Sequence, residues 1–178
     1  MLTRLFSHRS ARNDPGIFRQ IPLRTKGRLY VSPMPFGAYD TRNRVLDLYR
    51  EHRIGHVFML VTDDEIKRKA HRDLASEYRK IGAAYSQLAI QDMTAPDLAS
   101  MRRMAAEAMV LLKRMNIAIH CHAGVGRTSV FTCCLVQAVS GLDAAQSVAF
   151  VKGHMEVNMT AEQLRVVERF ATEAKTAV

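Results

Sequence analysis

The chain is poor in cysteine, with three residues in 178: Cys121 and the adjacent pair Cys133 and Cys134. That number and spacing exclude a disulfide framework. No Cys/His spacing reads as a zinc site, so no metal is expected. Free cysteines used this sparingly point to a reducing compartment, and the expected location is cytoplasmic. No apolar run approaches the ~20 residues of a transmembrane helix. Acid is scarce as well: 17 Asp+Glu against 26 Lys+Arg leave a net charge of +9. A basic protein draws anions. Its charge is not arranged in aromatic-basic stripes or in any nucleic-acid motif, so no nucleic-acid partner is expected. Internal repeats and an internal linker are also missing.

What is present is an ordinary globular composition, 48% hydrophobic and 24% charged, long enough for one domain with a proper core. The basic excess gathers at the N-terminus. Arg4, Arg9, Arg12, Arg19, Arg24, Lys26 and Arg28 have only Asp14 among them. The boundaries read from this are a flexible basic segment over 1–25 and a catalytic domain over 26–178. The plainest reading of the segment is a solvated tail. Two others stay open: an acid-poor, Arg- and Ser-containing targeting segment, for an organelle or for secretion, and an anchor for an acidic membrane surface.

Periodicity places a strand at 28–32 and a helix at 41–52 with Val45, Leu48 and Tyr49 inward. A strand follows at 56–61. One helix then runs from Asp63 to Gly82, with Ile66, Ala70, Leu74 and Tyr78 repeating every four residues. Next come a strand at 84–90 and a Met- and Ala-rich helix from Pro96 to about Met115. The apolar triplet Ile117-Ala118-Ile119 reads as a buried strand, and residues 130–139 as a buried helix closed by Gly141. Two helices end the chain, at 142–152 and from the capping box Thr160–Gln163 onward. The alternation argues an α/β fold with a mostly parallel central sheet.

Between the buried strand and the buried helix lies His120-Cys121-His122-Ala123-Gly124-Val125-Gly126-Arg127-Thr128. With six constrained positions, this string arises by chance on the order of once in 10⁸ windows, so it carries the functional reading. A strand-to-helix loop is an anion site, because successive backbone N–H groups converge on one concavity. His122, Ala123, Gly124, Val125 and Gly126 supply those amides, and the glycines permit the close approach. Arg127 has a planar fork that grips two phosphate oxygens at once. Cys121 sits at the floor, where the amides, the helix dipole and Arg127 favour a thiolate over a thiol. A lone cysteine at a strand end is usually a small buried hydrophobe; the glycines and Arg127 argue for a nucleophile that attacks phosphorus. Thr128 can donate to the sulfur, and His120 is expected to hold the backbone from behind. Cys133 and Cys134 lie two turns or more up the helix and read as packing residues, out of disulfide reach of Cys121.

These residues resemble the active-site loop of the cysteine-dependent protein tyrosine phosphatases, including the dual-specificity branch. The resemblance is strong over 117–141, reasonable over 28–172, and absent from the first 25 residues. It implies a central, mostly parallel sheet with helices on both faces, and a two-step hydrolysis through a phosphocysteine that needs no cofactor. It implies substrates that are phosphorylated proteins or small phosphomonoesters, and inhibition by phosphate or vanadate. It also implies a general acid on a loop some thirty residues before the cysteine. Asp92, in Gln91-Asp92-Met93-Thr94-Ala95-Pro96 and 29 residues before Cys121, fits. Asp97 competes, but an acid in a first helical turn usually serves the dipole. Gln163 resembles a glutamine that positions the hydrolytic water and reads equally as a capping-box residue. The tyrosine-specific members carry Trp-Pro-Asp here. This chain has no tryptophan, which places it nearer the dual-specificity and atypical enzymes.

Three functions compete. The first is a protein phosphatase acting on phosphotyrosine and on phosphoserine/threonine. The second is a phosphoinositide or inositol-phosphate phosphatase, weakened by the lack of lysine among the loop's variable positions His122, Ala123 and Val125. The third is a phospho-binding module without catalysis.

Overall fold

The computed structural model describes residues 16–175, with side chains through Phe170. Five strands form one sheet in the order β1-β2-β5-β3-β4. They are β1 (Arg19–Ile21), β2 (Leu29–Ser32), β3 (Ile54–Met59), β4 (Ala84–Gln87) and β5 (Asn116–His120). Only β1 is antiparallel to its neighbour; β2, β5, β3 and β4 run parallel. The central strand β5 carries Ile117, Ala118 and Ile119, all fully buried. A continuous apolar run is what a parallel strand covered on both faces requires.

Seven helices accompany the strands among the described residues. They are α1 (Val45–Glu51), α2 (Asp63–Lys69), α3 (Leu74–Lys80), α4 (Leu98–Leu112), α5 (Arg127–Ser140), α6 (Ala144–Lys152) and α7 (Ala161–Lys175). The chain moves outward from β2 to β3 to β4, then returns through α4 to β5 between β2 and β3. Right-handed crossovers taken in opposite directions put α1–α3 on one face and α4 on the other. The direction reverses at β5, so the crevice beyond its carboxyl end is where an open α/β sheet binds ligands. α5 leaves from that point and is buried from Arg127 to Gln137. It ends at Gly141, which adopts φ +68° and donates its N–H to the Gln137 carbonyl at 2.8 Å.

Two boundaries differ from the sequence reading. The helix expected from Asp63 to Gly82 is two helices, α2 and α3. His71 between them adopts φ +50°. Asp73 then restarts the helix, its Oδ1 accepting from the Ser76 N–H at 3.1 Å. A short polar side chain that caps one helix competes with continuing the previous one, and the four-residue repeat runs through the break unaltered. The boundary at residue 25 is also displaced. Phe18 is buried and stacks on Tyr30 at 4.7 Å, and Ile21 is fully buried in β1. The fold therefore takes in part of the expected tail, including Arg19 and Arg24. Arg4, Arg9, Arg12 and Asp14 lie outside the described residues. Among the described residues no single helix is long and apolar enough to cross a membrane.

Candidate active site

Residues 121–126 curl between β5 and α5 at the carboxyl end of the central strand. Gly124 adopts φ +82°, and a Cβ there would lie 2.7 Å from the Ser32 carbonyl oxygen. The position is closed to any side chain. The N-cap of α5 is Gly126, and no side chain caps the helix, so an incoming anion can take the first-turn N–H groups. Cys121 is 2% exposed at the floor, and the Gly124 N–H points at its Sγ from 3.3 Å.

His120 supports the loop from behind. Its Nδ1 lies 3.0 Å from the Cys121 carbonyl and its Nε2 2.7 Å from the Tyr78 hydroxyl. A carbonyl only accepts, so Nδ1 carries the proton and Nε2 accepts from Tyr78. Burial pushes the Tyr78 hydroxyl well above its ordinary value, which keeps it a donor. Burial also lowers His120 to about 4, so the ring is neutral. Thr128 is fully buried, and its hydroxyl has no partner among the described residues. An unmade buried hydrogen bond costs about 1–3 kcal/mol.

Arg127 is 1% exposed. Its Nη1 donates to Glu65 Oε2 at 2.6 Å and to the Ile90 carbonyl at 2.8 Å. Its Nη2 donates to Glu65 Oε1 at 2.9 Å and to Asp92 Oδ1 at 3.1 Å. Glu65 is buried too. Burial alone would raise its carboxyl, but the hydrogen bonds and charges of Arg127 and then Lys69 prevail and hold it below the ordinary value. Breaking such a buried pair by removing one partner costs about 3–5 kcal/mol, so Glu65 fixes where the Arg127 fork points.

Lys69 stands at the mouth. Its Nζ is 3.1 Å from Glu65 Oε1, 3.1 Å from His122 Nδ1 and 3.9 Å from Asp92 Oδ2. The ammonium only donates, so His122 Nδ1 accepts. Burial first, and then the Lys69 charge, lower the proton affinity of His122. Asp92 is the exposed member, 57% by side chain. Its loop is tied at both ends, by Arg127 at the Ile90 carbonyl and by Gln163, whose Nε2 donates to the Thr94 carbonyl at 2.8 Å.

The structure thus gathers Cys121, the 122–126 loop, Arg127, Thr128, His120, Asp92 and Gln163 into one cluster. Gln163 closes the capping box, since its Oε1 accepts from the Thr160 N–H at 3.0 Å. It also borders the loop, 3.7 Å from where a Gly126 Cβ would stand. Asp97 is outside the cluster, because its Oδ1 caps α4 at the Ser100 N–H, 2.8 Å away. Cys133 and Cys134 are fully buried, and burial drives the Cys133 thiol up to about 12.

Sequence reasoning missed Glu65, Lys69 and Tyr78. A run of acids at the start of a helix suits its dipole, and nothing in Asp63-Asp64-Glu65 says that the third is buried. The available signal was Thr62-x-x-Glu65 with Lys69 one turn on. Thr62 does cap the helix, accepting from the Glu65 N–H at 3.1 Å. Glu65, Asp92 and His122 bring potential metal-ligand atoms within 4.8 Å of one another. Those lone pairs face Arg127 and Lys69, which fill the place a cation would take.

Beside the loop, Ala123 and Val125 form one side of a groove of about 380 Å³ that reaches Arg19, Tyr39 and Asn158. A larger cleft of about 770 Å³ between α2, α3 and β4 contains none of the motif residues.

This fold, with a cysteine and an arginine framing an amide cradle after the central strand, defines the protein tyrosine phosphatase superfamily in its dual-specificity and atypical branch. The chain belongs to the polymorphic toxin system DSP-PTPase phosphatase family, whose model matches residues 36–140. A solved kinase associated phosphatase with serine replacing its catalytic-site cysteine superposes with a TM-score of 0.80 at 18% identity, covering 93% of this chain and 99% of that one. PTPMT1 in complex with PI(5)P gives 0.71 at 19%, over 90% and 97%. The active form of Tk-PTP gives 0.70 at 25%, over 82% and 92%. A protein tyrosine phosphatase domain-containing protein 1 from Danio rerio is 28% identical over 95 residues. That stretch is 53% of this chain and 13% of the length of the relative.

Proposed function

We propose that the protein is a protein phosphatase that hydrolyses phosphotyrosine, and phosphoserine/threonine beside it, through a phosphocysteine at Cys121. One observation carries this: Cys121 Sγ lies at the floor of an amide cradle, with the Gly124 N–H directed at it and the Arg127 fork fixed by Glu65. The thiolate attacks phosphorus along the line of the leaving oxygen. As the S–P bond forms and the P–O bond breaks, Asp92 gives its proton to that oxygen. The Asp92 carboxylate then takes a proton from water as water attacks phosphorus. The S–P bond breaks, phosphate leaves, and Thr128 donates to the released sulfur. The Gln163 amide stands beside the cradle, where that water must be oriented. His120 keeps the Cys121 carbonyl turned away from the sulfur. The cradle stabilises charge at every step with donors already in position.

The groove toward Arg19 and Tyr39 offers room for substrate beyond the phosphate, which favours a polypeptide. A second reading, a phosphoinositide or inositol-phosphate phosphatase, is favoured by Lys69. This lysine supplies at the rim the cation that the loop's own variable positions lack, and a PI(5)P complex is among the similar structures. The test is metal-free hydrolysis of an aryl phosphate, followed by a panel of phosphopeptides against phosphoinositides. The expected result is vanadate-sensitive turnover with phosphopeptides preferred. Preference for the lipids would move the assignment to the second reading, and binding without turnover would leave only a phospho-binding module.

A further inference from the structure

Arg127, Glu65, Lys69 and Asp92 form a closed ring of alternating charge. Every neighbouring pair is in contact: Arg127–Glu65 at 2.6 Å, Glu65–Lys69 at 3.1 Å, Lys69–Asp92 at 3.9 Å and Asp92–Arg127 at 3.1 Å. A guanidinium has five N–H donors. The four bonds that Arg127 makes use all four Nη hydrogens and leave only the Nε–H. A two-oxygen grip on phosphate needs a second donor beside Nε. Glu65 holds its two in a buried, bidentate pair, and Ile90 holds one with a backbone carbonyl. The remaining one, given to exposed Asp92, is the donor that phosphate can claim.

We infer that substrate entry exchanges Asp92 for phosphate on Arg127 Nη2, and that Lys69 is the positioning residue that then keeps the Asp92 loop closed. The inference rests on the reading of this site as a phosphatase. Once Arg127 has turned to phosphate, Lys69 is the cation of the ring still facing Asp92. It is 29% exposed and anchored on Glu65, so it stays in place when Asp92 lets go of Arg127. Lys69 also fixes His122, so the ammonium ties the acid's loop to the rim of the cradle.

The test is a double-mutant cycle of Lys69→Met and Asp92→Ala, read on an alkyl and an aryl phosphate. Lys69→Met should lower kcat on the alkyl phosphate about fivefold, the loss of a partly exposed ion pair. KM and the rate on the aryl phosphate, whose leaving group needs no acid, should change less than twofold. In the Asp92→Ala background Lys69→Met should cost nothing further, and Lys69→Arg should restore the alkyl rate. An undiminished loss in the Asp92→Ala background would overturn the inference, as would a rise in KM equal on both substrates, which would mean that Lys69 binds phosphate. If Lys69→Met does not fold, Lys69→Gln serves the same cycle. Wild-type protein inert on both substrates would instead overturn the phosphatase reading.

Discussion

The phosphate loop and the Asp92 loop face each other across one cleft and are held by different means. The phosphate loop is fixed by backbone: Gly124 fits against the Ser32 carbonyl, the Asn158 N–H donates to the Val125 carbonyl at 3.2 Å, and His120 grips the Cys121 carbonyl. Cys121 and Gly124 are buried, and the Gly124 N–H is already directed at the sulfur before an anion arrives. The Asp92 loop is a turn with Met93 exposed at φ +65°. It is held by one guanidinium, one ammonium and one glutamine. The difference matches the proposed chemistry. A cradle that stabilises transition-state charge gains from donors that do not have to move. An acid that must meet the leaving group and later a water gains from contacts that can be exchanged.

If the comparison holds, damage to the fixed side is larger and falls on every substrate alike. Cys121→Ser should leave the protein folded and reduce turnover at least about a hundredfold, because a serine hydroxyl is not ionised in this field. Retention of more than about a hundredth of the wild-type rate would take the nucleophile away from Cys121. Arg127→Lys comes next, with a loss of about 10²–10³ in kcat, since an ammonium cannot make the two-oxygen grip. Vanadate affinity should fall with it, and wild-type behaviour in both would make Arg127 a structural residue.

Damage to the exchangeable side should be selective. Asp92→Ala is expected to slow an alkyl phosphate by about 10², the lower end of a general acid's contribution, and an aryl phosphate with a good leaving group far less. Equal losses would mean that Asp92 binds instead of protonating.

The smallest effect is on stability and belongs to the support behind the cradle. His120 is held at about 4, below its ordinary 6.5. Between those values the unfolded chain binds a proton that the folded one refuses. Stability is therefore level above pH 6.5 and falls as the pH drops toward 4, by up to about 1.4 kcal/mol per unit. Glu65, held below 4.5, adds stability above that pH that is lost as the pH falls further. Urea unfolding between pH 7 and 4.5 should show a shallower slope for His120→Asn than for wild type. An unchanged slope would mean that His120 is not the group refusing the proton.

The same division decided what could be read from the sequence. The fixed side is contiguous: strand, glycine-rich turn and helix follow one another, so Cys121, Gly124, Gly126 and Arg127 announced themselves and the parallel sheet followed from the alternation. The exchangeable side is assembled from distant segments. Asp92 was found through a resemblance, Gln163 was left between two roles of which the structure shows the capping box, and Glu65 and Lys69 were not singled out. Burial of one acid in a run of three depends on where α2 lands against α5. No local pattern carries that, just as the Ile66–Tyr78 repeat does not reveal the break at His71. Phe18 and Ile21 were lost for a related reason, because the surrounding arginines masked a three-residue edge strand.

The most direct test of the account is a rapid-quench trap of the enzyme during turnover of an aryl phosphate, followed by peptide mass spectrometry. One phosphoryl group is expected on the peptide containing Cys121, stable to base but released by iodine as an S–P bond is, and absent in Cys121→Ser. A phosphoryl group on any other residue, or full turnover with no covalent adduct at any time, would contradict it.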